Sequence, residues 1–204
     1  MKFRKNIILA GVGGQGLLTL ASIIAKACIN ANINVLVSEI HGMAQRGGSV
    51  EVHVRIGNVN SPLIPFGAAD FIISLEPIEA LKAARYLNEK STVVLNTKMI
   101  PPPVVNMGLS KYPDLKEILT KLSEIAGTIY FFNATEIAEK LGNVQMTNVV
   151  MLGAFLKVTR MPFNYEHVVN AIKQVLPEKY WEINTNAFKA GFGSNLNLVK
   201  KKYG

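Results

Sequence analysis

Short, almost wholly apolar runs recur along this chain of 204 residues and alternate with longer segments of helical periodicity. Strands that are apolar on both faces are typical of a parallel sheet covered by helices on both sides, and strands alternating with helices indicate βαβ units. The pattern therefore predicts an α/β, Rossmann-like fold with a mostly parallel sheet and helices on both faces. The predicted strands cover residues 6–10, 33–38, 70–75, 92–96 and 128–134.

Helical periodicity fills the spaces between these strands and most of the C-terminal third. The segment 145–158 is apolar nearly all round, which predicts burial within the fold or in an interface. There is no internal repeat and no convincing linker, so we expect a single domain over residues 1–204. The predicted helices cover residues 15–31, 76–88, 114–127, 135–142, 145–158, 164–176 and 179–192.

One predicted strand, residues 49–57, departs from the continuous apolar pattern because its side chains alternate strictly. Valine and isoleucine occupy one face, and Glu51, His53 and Arg55 occupy the other. Strict alternation is typical of a strand with one face on the core and the other in a polar environment. Two interpretations remain open: a solvated edge strand, or a face for a partner protein.

The positive charge of the chain lies mostly at its two ends. The formal net charge is +8, from 22 basic and 14 acidic residues. Six basic residues lie at positions 2–5 and 200–202, where there is no acidic residue, and the other 16 nearly balance the acidic ones. A nucleic-acid-binding protein more often carries a clustered basic stripe with interleaved aromatic residues. We therefore expect no nucleic-acid partner.

Targeting signals are not evident in the sequence. No apolar run is long enough for a transmembrane helix. The start has a basic head and a short apolar run, but glycines interrupt that run after residue 10, which is too early for a signal peptide. We therefore expect a cytoplasmic protein without a membrane partner.

The single cysteine, Cys28, limits redox and metal chemistry in this chain. One thiol forms no intramolecular disulfide, holds no iron–sulfur cluster and argues against a structural zinc site. Cys28 lies within the apolar periodicity of the first predicted helix, where buried cysteine is common. We expect a buried structural thiol and no metal site.

A glycine-rich motif, Gly11-Val12-Gly13-Gly14-Gln15-Gly16, follows the first predicted strand and opens the first helix. A G-x-G-x-x-G motif in this position allows a tight turn and brings an anion close to helix N–H groups. Glu39 closes the second strand, where dinucleotide-binding proteins place the acid that binds ribose. The motif therefore fits a dinucleotide site, or a tight turn that binds nothing.

The loop of residues 38–49 concentrates polar and flexible residues at the expected carboxyl end of the sheet. Open α/β sheets bind ligands at this edge. Arg46 can direct a planar guanidinium at a carboxylate or phosphate, and a structural ion pair with Glu39 or Glu76 is the alternative. His41 would need an orienting partner to act as a general base, so a hydrogen-bonding or interface role is its alternative.

Several segments together resemble the gamma-type subunit of the 2-oxoacid:ferredoxin oxidoreductases. They are GVGGQGLLTLASIIAKA, SEIHGMAQRGGSVEVHVRIG and SPLIPFGAADFIISLEPIEAL, and the resemblance continues through TNVVMLGAF and EINTNAFKAGF. Within this superfamily, the segment HGMAQRGG resembles the corresponding segment of the beta subunit in the indolepyruvate branch. The pyruvate and 2-oxoglutarate relatives usually keep RGG but lack HGMAQ. The resemblance spans essentially the whole chain.

The resemblance implies an activity that depends on a larger subunit. The family couples oxidative decarboxylation of a 2-oxoacid, here indolepyruvate or another aryl 2-oxoacid, to acylation of coenzyme A and reduction of ferredoxin. Thiamine diphosphate and iron–sulfur clusters are then expected on a larger alpha subunit. This chain would be the small partner, without a cofactor of its own and inactive alone. The alternatives are a pyruvate or 2-oxoglutarate gamma subunit, a free-standing NAD(P)- or flavin-binding oxidoreductase, and a non-catalytic scaffold.

The same resemblance makes coenzyme A the ligand that we expect near the glycine motif. Its phosphates are anions that suit helix N–H groups and a guanidinium. Arg46 and His41 are the candidate catalytic residues. The candidate contacts for coenzyme A, or for the partner's active site, are Gly11, Gly13, Gly14, Gln15, Gly16, Gln45, Arg46 and Gly47.

Overall fold

The computed structural model describes residues 3–41, 48–102, 105, 107–109 and 111–201, with the backbone alone at residue 41. The strands in these ranges are β1 (Arg4–Val12), β2 (Val35–His41), β3 (Ser49–Gly57), β4 (Phe71–Ser74), β5 (Thr92–Asn96), β6 (Thr128–Phe132) and β7 (Asn197–Lys200). They form one sheet in the order β2-β3-β1-β4-β5-β6-β7.

The central strands of the sheet, β1, β4, β5 and β6, pair in parallel. Strand β3 is antiparallel to both β1 and β2, so β2 runs in the same direction as β1. Strand β7 is antiparallel to β6. Five of the seven described strands therefore share one direction, which confirms the predicted mostly parallel α/β sheet.

The helices begin largely where the sequence provides capping groups. Glu76 accepts a hydrogen bond from the Glu79 N–H and Pro77 takes the first helical position, a combination typical of a helix start. The helices in the described ranges are α1 (Leu17–Asn30), α2 (Pro77–Lys82, extended by a 3-10 turn at Ala83–Tyr86), α3 (Leu115–Ser123), α4 (Ala134–Lys140), α5 (Thr147–Val158), α6 (Tyr165–Val175) and α7 (Trp181–Gly193). Among the described residues, none of the helices combines the length and the apolar character that crossing a membrane would need.

Helices cover both faces of the sheet, as the continuous apolar strands predict. On one face, Ile7 and Leu9 pack with the apolar side of β3 beneath α1, α4, α5, α6 and α7. On the other face, Ile8 and Ile72 pack against α2 and α3. Because successive β1 side chains point to opposite faces, this one strand contributes to both cores.

Helix α5 lies at the centre of the C-terminal helices and crosses α7 with its backbone in contact. A Cβ atom at Gly153 would lie 2.1 Å from the Phe188 carbonyl oxygen, and one at Gly191 would lie 1.9 Å from the Val150 carbonyl oxygen. The side chains of α5 from Thr147 to Leu156 are buried by the chain itself. Its apolar circumference is therefore explained by the fold and needs no interface.

Strand β3 is an interior strand, and neither interpretation of its polar face was correct. It lies between β2 and β1, so it is not an edge strand. Its polar side chains are almost wholly buried within the chain and are not available to a partner. Their exposed fractions are 8% for Glu51, 1% for His53 and 8% for Arg55.

Part of the cover over this polar face is the segment that follows β3. The Arg55 guanidinium donates to the carbonyl oxygens of Ser61 (2.7 Å) and Leu63 (3.0 Å). The Ile64 N–H donates to His53 Nδ1 at 2.9 Å. The polar face therefore binds backbone groups of a loop that has no secondary structure to satisfy them.

Strand β2 was predicted to be buried but lies at the edge of the sheet. Val37 and Ile40 are 40% and 39% exposed. The reason is topological, because β3 inserts between β1 and β2 and leaves β2 with a single neighbouring strand among the described residues. Strand β7, which is only four residues long and ends in Lys200, has no counterpart among the sequence predictions.

Candidate functional site

The glycine turn, residues 11–16, joins the carboxyl end of β1 to the start of α1. Gly14 and Gly16 have φ values of +103° and +74°, a region that favours glycine. Gly16 occupies the N-cap position of α1 and offers no side chain to the N–H groups of the first turn. There is also no acidic residue in that first turn. The helix therefore begins with N–H donors that no side chain caps, at the positive end of its dipole.

Gln15, a predicted ligand contact, uses its side chain to hold the turn together. Its Oε1 accepts from the Val12 N–H at 2.7 Å, and its Nε2 donates to the Leu75 carbonyl oxygen at 3.0 Å. Asn96, at the end of β5, donates to the same Leu75 oxygen at 3.0 Å. Gln15 therefore ties the turn to the neighbouring strand ends, and its amide is already hydrogen-bonded at both atoms.

The glycine turn and the end of the 38–49 loop meet at one hydrogen bond. The Gly13 N–H donates to the Gly48 carbonyl oxygen at 2.9 Å, and Ser49 pairs with Val12 in the first register position of β3. On the other side of the loop, the backbone of residue 41 pairs with Val50. The glycine turn and the two described ends of the 38–49 loop therefore lie at the same carboxyl edge.

The structure does not describe the remaining predicted site residues. Gln45, Arg46 and Gly47 lie outside the described residues, as does the side chain of His41. Their roles remain predictions.

Asn148, at the start of α5, is a site residue that the sequence predictions did not include. It is 4% exposed and its Nδ2 donates to the Gly16 carbonyl oxygen at 2.9 Å. The two residues are 132 positions apart, so nothing local in the sequence reveals the contact. The available signal was a lone asparagine in an otherwise apolar helix, where a buried amide requires a partner.

A polar cleft of about 360 Å³ opens between the glycine turn and the C-terminal helices. The described residues that line it carry no charged side chain, and they include Thr19, Asn143, Asn148, Tyr180 and Asn184. Because no carboxylate opposes the uncapped N–H groups of α1, the cleft suits an anionic ligand with polar and aromatic parts.

A second cleft of about 300 Å³ lies on the other side of the glycine turn, between Leu18, Glu39 and Val50. In the Rossmann arrangement the strand bearing the ribose-binding acid lies directly beside the first strand. Here β3 separates β2 from β1. The topology therefore departs from the arrangement that made Glu39 resemble a ribose-binding acid.

The buried titratable groups of the chain do not form a metal site in the described ranges. No cluster of three or more histidine, cysteine, aspartate or glutamate residues in those ranges could hold a metal ion. Cys28 is fully buried in α1, as predicted, and burial raises the pKa of its thiol to about 12. Cys28 therefore stays protonated at neutral pH and is a poor nucleophile or ligand.

Fold and site together define an α/β protein whose glycine turn places an uncapped helix N-terminus at the carboxyl edge of the sheet. Residues 6–194 match the family model for pyruvate ferredoxin/flavodoxin oxidoreductases, and the chain belongs to that family. It is therefore a subunit of a 2-oxoacid:ferredoxin oxidoreductase, and the resemblance seen in the sequence is confirmed.

Individual relatives agree with this assignment. The chain is 50% identical, over 95% of its length and 96% of the relative's, to the indolepyruvate oxidoreductase subunit IorB of Archaeoglobus fulgidus. Its fold is similar to that of a pyruvate oxidoreductase subunit from Thermotoga maritima, with a TM-score of 0.75, 21% identity and coverage of 98% and 100%. A 2-oxoglutarate:ferredoxin oxidoreductase from Magnetococcus marinus contains a similar fold, with a TM-score of 0.70 and 18% identity. That match covers 94% of this chain and 31% of the longer one.

Proposed function

We propose that this chain is the small subunit of an indolepyruvate ferredoxin oxidoreductase. In the assembled enzyme, an aryl 2-oxoacid loses CO₂, its acyl group passes to coenzyme A, and the two electrons released reduce ferredoxin. Support for the substrate class comes from the relative named for indolepyruvate, which is 50% identical over 95% of this chain. The HGMAQRGG segment supports the same branch of the family.

The cofactors of this reaction belong, in our proposal, to a larger subunit. Thiamine diphosphate supplies the carbanion chemistry and iron–sulfur clusters carry the electrons away. The only cysteine here is the buried Cys28, and a cluster needs several thiolate ligands. The residues of this chain therefore do not fit an iron–sulfur cluster, and no step of electron transfer is assigned to them.

The glycine turn is the part of the chain that we assign to coenzyme A. The observation that carries this assignment is the bond between Gly13 and Gly48, which brings the glycine turn and the 38–49 loop to one edge. Beside it, the uncapped start of α1 opens on the uncharged cleft. Backbone N–H groups there can bind phosphate oxygens, while Tyr180 and the amides of Asn143 and Asn184 can contact a nucleobase.

Arg46 has a complementary role in this proposal. A guanidinium is permanently charged and binds phosphate or carboxylate in a bidentate manner. Placed between residue 41 and Gly48, it would be carried by a loop whose two described ends lie at the carboxyl edge. We assign it to an anionic group of coenzyme A or of the 2-oxoacid, and His41 to a hydrogen-bonding contact at the same edge.

Reconstitution tests the proposed function directly. The chain is co-expressed with a candidate thiamine-dependent subunit, and ferredoxin reduction is measured with indolepyruvate, pyruvate or 2-oxoglutarate, with and without coenzyme A. We expect activity only in the complex and highest kcat/KM with indolepyruvate. Higher kcat/KM with pyruvate or 2-oxoglutarate would assign the chain to another branch of the family.

The isolated chain provides the complementary test. We expect neither thiamine diphosphate nor visible iron–sulfur absorbance in it, and no tight binding of NAD(P) or flavin by calorimetry. A brown preparation would contradict the assignment of the clusters to the larger subunit. Micromolar binding of a dinucleotide would instead favour a free-standing oxidoreductase.

A further inference from the structure

A buried carboxylate at the carboxyl edge, that of Glu76, is hydrogen-bonded to both ends of the segment 100–112, which is called the excursion below. Glu76, which follows β4, is 1% exposed. Its Oε1 accepts from the Ile100 N–H at 3.1 Å and also from the Tyr112 hydroxyl. Burial, followed by the hydrogen bond to Glu76 and its negative charge, raises the pKa of that hydroxyl well above its ordinary value, so Tyr112 remains a donor.

The chain between these two anchors carries unusually exposed apolar side chains. Met107 is 70% exposed, Leu109 is 77% exposed and Ile100 is 40% exposed. We call these three residues the edge tip. Single exposed apolar residues are common on protein surfaces, but these three belong to one excursion whose ends meet at a single carboxylate oxygen.

The charged residues of the segment that carries the edge tip all have one sign. Lys98 precedes it and Lys111 follows it, and both are exposed. From residue 97 to residue 113 the sequence contains no aspartate or glutamate. A surface of this kind is complementary to an apolar pocket with an acidic rim.

The edge tip lies at the edge that carries the candidate ligand site. Glu76 follows Leu75, whose carbonyl oxygen accepts from Gln15 of the glycine turn at 3.0 Å. If coenzyme A is bound at that turn, the same edge must face the catalytic centre of the larger subunit. The edge tip is therefore placed to contact that subunit.

We propose that the edge tip docks into an apolar pocket with an acidic rim on the larger, thiamine-dependent subunit, with Glu76 fixing Ile100 and Tyr112 on either side of Met107 and Leu109. This inference rests on the proposed function, which supplies the larger subunit as the partner. A few residues near the centre of an interface usually contribute most of its affinity.

The test measures the affinity of the full chain for the purified larger subunit. The double variant Met107→Ser/Leu109→Ser should raise the Kd roughly tenfold or more, since truncating central interface residues commonly has such an effect. Phe66→Ser is the matched control, because Phe66 is 72% exposed and lies outside the edge tip. The control should bind like the wild type. Thermal unfolding of each free variant shows that the fold is intact.

Charge reversal tests the acidic rim separately. Lys98→Glu/Lys111→Glu should slow association and reduce its dependence on salt, since electrostatic complementarity acts mainly on the association rate. An association rate that is unchanged at low salt would overturn the inference that the partner's pocket has an acidic rim.

Three outcomes separate the two proposals. If the wild-type chain binds no thiamine-dependent subunit, the proposed function fails. If the wild type binds and the double variant binds equally well, the edge-tip inference fails while the proposed function stands. If the double variant loses self-association of the free chain but keeps its affinity for the larger subunit, the edge tip contacts a second copy, which also overturns the inference.

Discussion

One nitrogen of Arg85, Nη2, donates to both carboxylate oxygens of Glu51, at 2.6 and 2.8 Å. Glu51 is 8% exposed, whereas about half of the Arg85 side chain reaches solvent. The pair joins the polar face of β3 to the 3-10 turn after α2. The carboxylate of Glu51 is the buried member of the pair, and its attraction to the guanidinium offsets the free-energy cost of removing its charge from water.

Removing the guanidinium should therefore destabilise the chain. We expect Arg85→Met to lower the free energy of unfolding by about 1.5–3 kcal/mol, the range for a lost hydrogen bond to a charged group. The double variant Glu51→Leu/Arg85→Met should recover part of this loss, because it removes the buried carboxylate together with its partner. Denaturant unfolding at neutral pH measures both.

The exposed pair of Lys121 and Glu117 provides the control for this prediction, since both side chains are about half exposed. Lys121→Met should leave the unfolding free energy nearly unchanged, as is usual for surface ion pairs. Equal effects of Arg85→Met and Lys121→Met would mean that the Glu51 pair is no stronger than a surface contact.

The same strand illustrates what the sequence could and could not predict. Alternation correctly separated the valine face of β3 from the face of Glu51, His53 and Arg55. The cover over the polar face comes from residues 61–64 and 85–86. Periodicity reports the faces of a strand, but it contains no information about which distant segment packs on either face. The environment of this strand was therefore predicted wrongly, although its faces were right.

The candidate site shows a similar division. The glycine turn and its place at the carboxyl edge could be predicted from local sequence, because the glycines directly follow a strand. Glycine also suits the backbone there, as the φ of +74° at Gly16 shows. The contact of Asn148 with Gly16 depends on the docking of α5. Likewise, the edge position of β2 depends on the insertion of β3. The lone asparagine of α5 signals that its amide needs a partner, but no local pattern identifies that partner or the edge strand, since both are set by the order of strands and helices in space.

His53 should make the stability of the chain depend on pH. Burial, followed by the positive charges of Arg85 and Arg55, lowers the pKa of His53 from 6.5 to about 4. Its Nδ1 accepts from Ile64, so the proton of the neutral ring is on Nε2, which has no hydrogen-bond partner among the described residues. The folded chain therefore disfavours protonation of His53.

The sign of this effect follows from linkage. Between pH 6.5 and about 4 the unfolded chain binds a proton at His53 and the folded chain does not, so stability falls as the pH is lowered through this window. From pH 7 to pH 5 we expect His53 to account for a loss of about 2 kcal/mol. The variant His53→Asn can place its Oδ1 at the position of Nδ1, where it can still accept from Ile64, and its stability should depend less on pH. If the unfolding free energies of the wild type and the variant depend on pH in the same way, His53 is not the cause of the pH dependence.

The crossing of α5 and α7 should tolerate no added carbon at Gly153. A Cβ atom there would lie 2.1 Å from the Phe188 carbonyl oxygen and 2.6 Å from the Phe192 nitrogen, both backbone atoms. We expect Gly153→Ala to cost at least about 1–3 kcal/mol because the helices must separate. Gly193→Ala is the control in the same helix pair, since a Cβ atom at Gly193 meets nothing within 4 Å. Thermal unfolding should show a lower Tm for Gly153→Ala alone.

Gly16→Ala should destabilise the glycine turn for two separable reasons. The φ of +74° disfavours any other residue, and the added Cβ would lie 2.6 Å from Asn148 Nδ2. Gly142 has a φ of +93° with nothing within 4 Å of its Cβ position, so Gly142→Ala measures the backbone strain alone. That strain is about 1–2 kcal/mol, and Gly16→Ala should cost more. Equal costs would show that Asn148 moves aside freely.

Arg46→Ala should lower the activity of the assembled enzyme much more than the stability of this chain. Arg46 is part of a loop whose described ends, residue 41 and Gly48, lie at the carboxyl edge beside the glycine turn. Loss of a charge-assisted contact with coenzyme A, with the 2-oxoacid or with the partner's active site should cost about 1.5–3 kcal/mol. If that contact is fully expressed in the transition state, kcat/KM falls roughly 10- to 150-fold. Arg46→Lys should restore part of the activity, because a lysine cannot form a bidentate contact.

A structural ion pair of Arg46 predicts the opposite pattern, a lower Tm with near-normal turnover in the complex that remains. Glu76, one of the two partners considered for such a pair, already accepts from Ile100, Tyr112 and Glu79, which argues against it. Measuring Tm and kcat/KM on the same variant separates the two roles. Normal kcat/KM for Arg46→Ala would remove Arg46 from the site, whereas a large loss of activity with an unchanged Tm would establish it as a ligand-binding residue.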